Sequence, residues 1–152
     1  MENPLWQFSL DFYRRDSVSG FLLDCQDRLG ADVCLLLWAS YRQLAGQSLS
    51  EEGWRVAERA LAPRRRMIDS VRHLRRWLGR MRPYMAWPYG WCKNYELRLE
   101  RRQLAVLWQL EQEHWPGERT ALQLAAAHYG MPQKDQARWA GLISDYRGEN
   151  AG

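Results

Sequence analysis

Residues 32–44 read DVCLLLWASYRQL, and this stretch decides the fold. On a helical wheel Val33, Leu35, Leu36, Leu37, Trp38, Tyr41 and Leu44 cover nearly the whole circumference. A helix that is apolar on most sides is a central one, buried by its neighbours. Asp32 is placed to start it and Gly46 to close it. The longest apolar run, residues 33–39, is far too short to span a bilayer.

Outward from this helix the punctuation stays helical. Asn3-Pro4 offers a cap followed by proline at the first helical position, opening a segment through Arg14. Asp16 or Ser17 is expected to cap a second helix, which Gly30 ends. Ser50, Glu51 and Glu52 begin a fourth helix, and Pro63 is expected to break or kink it. A long helix is predicted over about 94–114, followed by shorter ones over 120–129 and 135–146. The aromatic connector PYMAWPYGWC, residues 83–92, looks irregular. Val, Ile and Thr are few, and no Asn-Gly or Asp-Gly hairpin turn occurs. The expectation is an all-α bundle of about seven helices in one domain, with a flexible tail over 147–152.

The junction before the central helix gathers four residues. Gly30 suits a left-handed cap, and Asp32 suits the amides of the next helix. Gln26 and Asp27 stand one turn earlier, within reach of the same amides. A structural corner is the first reading, and a small polar pocket leading to the core is the second.

Charge is the other distinctive feature. Residues 64–82 read RRRMIDSVRHLRRWLGRMR, with eight arginines against one aspartate. The chain carries +4 overall, yet Arg55 to Arg82 alone carries +8. Met67, Val71, Leu74, Leu78 and Met81 form an apolar stripe at helical period, expected to face the core. Arg65, Arg72, Arg76 and Arg80 would then point outward, with Arg64 and Arg66 in a first turn after Pro63. There the helix dipole opposes them. Such runs are commonly solvated faces, but this one also suits an external anion.

The favoured expectation is a non-enzymatic interaction module that presents this face to an acidic protein surface, with Trp87 and Trp91 as apolar anchors. A nucleic-acid or ribosome contact is the first alternative, although no DNA- or RNA-binding motif accompanies the charge. The second is a small-molecule or acyl-ligand binder, or a metal-dependent enzyme, using the bundle interior. No catalytic residue, cofactor or metal site is assigned. Glu111 and His114 match one E-x-x-H but have no second copy, and Asp69 and His73 share a face at i, i+4. Cys25, Cys34 and Cys92 form no CxxC pair, which suits reduced thiols in the cytoplasm. No membrane partner is expected, and a homo-oligomer is compatible with the sequence.

The stretch LDCQDRLGADVCLLLWASYRQLAGQSLS, with LWQFSLDFY before it and ELRLERRQLAVL after it, resembles an uncharacterised proteobacterial all-helical family, catalogued only as a domain of unknown function. The resemblance runs from about Leu5 to Leu110. It implies a helical cytoplasmic protein and supplies no activity or site residue. The family pattern often has asparagine where this chain has Cys34, so it implies no polar role for that position.

Overall fold

The computed structural model describes residues 3–80, 86–113 and 115–150, and for 64, 78–79 and 86–97 the backbone alone. Seven helices lie among them: α1 (Pro4–Tyr13), α2 (Asp16–Leu29), α3 (Val33–Leu44), α4 (Glu51–Arg80), α5 (Ala86–Glu111), α6 (Ala121–Tyr129) and α7 (Gln133–Asn150). No strand is present among the described residues; one isolated bridge joins Ser48 and Thr120. The all-helical expectation is met.

α3 is the central element, packed against α1, α2, α5, α6 and α7. Residues 34 to 40 are all buried, Trp38 completely. Ser40 and Trp139 match each other within this core. Trp139 of α7 donates its indole N–H to Ser40 Oγ at 2.8 Å, and that hydroxyl donates to the Leu36 carbonyl.

Local capping follows the sequence in most places. Asn3 accepts from the Trp6 amide, and Thr120 with Gln123 forms a reciprocal capping box. Gly30 takes the left-handed conformation, φ 67°, that ends α2. The start of α2 differs from expectation. Arg15 holds the cap position without a side-chain bond, and Asp16 lies in the first turn, where its charge still complements the dipole.

Three larger differences have physical causes. First, α4 runs through Pro63 without interruption for 30 residues. Trp54, Ala57 and Leu61 bury one face before the proline, and Ile68, seven residues after Leu61, continues it. The shared stripe carries the helix past a residue that costs about 3 kcal/mol in a helix interior. Second, that continuity fixes the rotation of the arginine segment. Arg65 and Arg72 turn inward with Ile68, while Met67, Leu74 and Trp77 are about half exposed. Met67 and Leu74, expected in the core, therefore lie on the outer side, Val71 is half-buried, and Arg65 and Arg66 sit mid-helix, away from any helix start. Third, α5 begins at Ala86, so the backbone from 86 onward in the aromatic connector is helical, with Pro88 in the first turn, where a missing N–H costs nothing. The side chains of Arg64, Trp87, Trp91 and Cys92 lie outside the description, as does His114.

The expected tail from residue 147 is helical as far as Asn150. Arg147 donates from Nη2 to the Gln43 and Leu44 carbonyls, closing the C-terminus of α3. The same end of α3 is braced by a buried ion pair. Arg42 Nη1 meets Glu111 Oε2 at 2.8 Å, Trp38 Nε1 donates to the same oxygen at 2.7 Å, and Arg42 Nε donates to the Ser48 carbonyl. Gly117 lets two loops meet beside it, because a Cβ there would stand 2.4 Å from the Leu49 carbonyl oxygen.

Pro63→Ala tests the continuity of α4. With Pro63 exposed inside a regular helix, the substitution should raise stability by about 1–3 kcal/mol in denaturant titration. A loss of stability would mean that two helices meet there.

Candidate functional site

α2 ends, α3 begins and the middle of α4 crosses α5 around one polar cavity of about 220 Å³. Gln26 and Gly30 come from α2 and its cap, Asp32 and Cys34 from the start of α3, Arg65, Asp69 and Arg72 from α4, and Glu100 and Gln103 from α5. Asp32 organises it. Its Oδ1 accepts from the Cys34 and Leu35 amides at 2.8 and 3.3 Å, and its Oδ2 accepts from Arg65 Nε at 2.9 Å. Its own amide donates to the Tyr129 hydroxyl at 3.2 Å. Burial resists the Arg65 charge, but the carboxylate beside it outweighs that and raises the guanidinium pKa. Burial also holds the Tyr129 hydroxyl and the Cys34 thiol neutral, both well above their ordinary pKa, and pushes the Cys25 thiol up to about 11.

The arginines expected to lie bare therefore meet carboxylates. Arg65 pairs with Asp32, and Arg72 reaches Glu100 at 3.0 Å and Asp69 at 3.6 Å. Arg76 lies 3.7 Å from Asp27. Arg66 and Arg80 are exposed. The cause is the rotation of α4, which turns positions 65 and 72 toward the N-terminus of α3 and toward α5. Of the expected corner, Gln26, Gly30 and Asp32 line this cavity and Asp27 does not. Gly30 and Asp32 perform the capping, and Asp27 turns to Arg76.

Gln26 does something else. Its Oε1 is buried without a hydrogen-bond partner, as are Arg65 Nη2 and Gln103 Nε2. All three residues line the same cavity. Gln103 is buried, 2% exposed, and its amide nitrogen has no partner within the protein. The sequence reading missed this residue, although a signal existed: it stands four residues after Leu99 and four before Leu107, both buried.

A second cavity of about 350 Å³ adjoins the first and is mostly apolar. Trp6, Leu10, Tyr13, Leu23, Leu37 and Leu104 form its apolar walls, and Leu10 and Leu23 are partly exposed. Gln26, Val33, Cys34, Arg72 and Glu100 border both cavities. Ser9, 3% exposed and also on the second cavity, leaves its Oγ unpartnered.

Other candidate groups are accounted for. Glu111 of the E-x-x-H spacing is spent on Arg42 and Trp38. Asp69 pairs with Arg72, and His73 is exposed. Among the described residues no group of three or more His, Cys, Asp or Glu could hold a metal ion, and no helix is long and apolar enough to cross a membrane.

Fold and site together define an all-helical protein with a polar chamber beside an apolar cleft. The chain belongs to the family described as "Protein of unknown function (DUF2390)", whose model matches residues 4–107. That span takes in α1 to α4 and most of α5, hence every residue lining the two cavities. No curated protein and no solved structure matches the chain.

Two substitutions separate the duties of Asp32. Asp32→Asn keeps an oxygen for the α3 amides and loses the charge beside Arg65, whereas Asp32→Ala loses both. The alanine variant should be the less stable by about 1 kcal/mol in thermal denaturation, the worth of the cap. Equal losses would show that the cap contributes nothing.

Proposed function

We propose that this protein binds a small amphipathic molecule, its polar end in the chamber between α2, α3, α4 and α5 and its apolar part in the adjoining cleft. One observation carries the reading. Among the described residues five buried side-chain polar atoms lack a partner, and four of them, on Ser9, Gln26, Arg65 and Gln103, belong to residues lining these two cavities. Polar atoms without a partner in the protein, gathered on cavity walls, are where the donors and acceptors of a ligand would find partners. Burial holds the Cys34 thiol on the chamber wall neutral, and Asp32 and Glu100 are paired with Arg65 and Arg72, so the reading is of binding.

Gln103→Leu is the deciding variant. Removing an orphaned amide from a buried site should leave the empty protein as stable as before, or more so, while destroying a contact to the ligand. Native mass spectrometry of freshly purified protein should show a non-covalent adduct of small-molecule mass on the natural chain and little on the variant. Identical ligand-free spectra for both would remove the reading.

The outer face of α4 favours a second reading, association with an acidic protein surface. Met67, Leu74 and Trp77 are each about half exposed, and Arg66 and Arg80 are exposed on the same segment. Arg66→Glu with Arg80→Glu should weaken such an association while changing stability by only about 0.5 kcal/mol, as surface changes usually do. Unaltered capture of an acidic partner by the double variant would count against it.

A further inference from the structure

We infer that the far end of the ligand's apolar part bears an oxyanion, carboxylate or phosphate, held by Arg14 and Arg76 at the mouth of the cleft. This rests on the ligand-binding reading above and specifies the end of the molecule that the chamber does not hold.

Exposure sorts the cleft walls into a floor and a mouth. Cys34, Leu37 and Leu104 are buried and make an apolar floor. Leu10 and Leu23 are partly exposed, and the side chains of Arg14 and Arg76 are 78% and 46% exposed. These four line the cleft and not the chamber. The residues that border both cavities, Cys34 and Gln26 among them, mark the other end. A linear molecule with its polar end in the chamber and its chain on the floor therefore ends among Arg14, Arg76 and the exposed leucines.

Charge decides what that end is. Arg14, Arg72, Arg75 and Arg76 line the cleft, and Glu100 is the one carboxylate among the described residues that do so. Glu100 is taken up by Arg72, at 3.0 Å. Arg14 reaches Asp11 at 2.5 Å and Arg76 lies 3.7 Å from Asp27, but neither aspartate lines the cleft. Ion pairs this exposed are worth little, so both guanidiniums can exchange a surface carboxylate for a ligand oxyanion at small cost. Arg101, over the ring of Trp6 at 5.2 Å, puts a further positive charge against a cleft wall. The guanidinium fork suits the paired oxygens of carboxylate and phosphate alike. An ammonium group at the mouth would be repelled, and an uncharged group would gain no more there than water offers it.

The test is a calorimetric titration of the full chain with four ten-carbon probes that share a hydroxyl at one end: ω-hydroxydecanoate, ω-hydroxydecyl phosphate, decanediol and ω-aminodecanol. At least one anionic probe should bind about 10-fold more tightly than decanediol, and ω-aminodecanol should bind more weakly. The preference should shrink as salt rises, because the mouth is open to solvent. Arg14→Gln with Arg76→Gln should erase it while leaving decanediol binding and the melting temperature unchanged. Gln103→Leu should weaken all four probes alike and keep the preference, which separates the mouth from the chamber. If decanediol binds as tightly as both anions, or the double variant keeps the preference, the inference is overturned and the ligand-binding reading stands. If no probe binds, both fall.

Discussion

A single carboxylate sets the geometry on which the site depends. Asp32 caps the central helix, ties α4 to it through Arg65, and anchors α6 through the Tyr129 hydroxyl. Each bond limits the others, because the cap fixes where the carboxylate points and so where Arg65 must come. A guanidinium drawn into a half-buried position needs an anion at that place, and the helix terminus holds the anion there. The Trp54, Leu61 and Ile68 stripe sets the rotation of α4, and this arrangement receives the arginine that the rotation turns inward.

The opposite end of α3 is fixed in a comparable way. Arg42 and Glu111 form a buried pair sharing Trp38 and the Ser48 carbonyl, and Arg147 closes the last carbonyls. With both ends held, α3 serves as a rigid post around which α1, α2, α5, α6 and α7 pack. One end is closed by matched charges. The other is left with unmatched dipoles.

What the sequence made legible was local. The saturation of residues 33–44 with apolar groups, the caps at Asn3 and Asp32, and the glycine at 30 depend on neighbours a few positions away, and all appear in the fold. The phase of α4 depends on whether Pro63 interrupts the helix. Taken as a break, it let the segment after it choose its own inner face, and Met67 and Leu74 were the natural choice. Carried through, the heptad from Trp54, Leu61 and Ile68 puts Arg65 and Arg72 inside. Packing over a whole helix outweighed a local propensity, a contest that a short window cannot judge. The site was half legible for the same reason. Gln26, Gly30 and Asp32 stood out at a helix junction, whereas Glu100 and Gln103 enter it from α5, about 70 positions further on.

The distribution of satisfied and unsatisfied groups separates a packing defect from a site. Elsewhere among the described residues several buried groups are matched: Ser40 with Trp139, Arg42 with Glu111, and Asp135 with Arg28 at 3.1 Å. A fold with generally poor polar complementarity would scatter its orphans through the core. Here Trp54 carries the one orphan among the described residues that lies away from the two joined cavities. Leucine or methionine at 26 and 103 would serve packing at least as well, since replacing unmatched buried amides by apolar groups is neutral or favourable. The two glutamines therefore stand where the proposed ligand would meet the protein, one with an unpartnered acceptor and the other with an unpartnered donor on the same cavity wall.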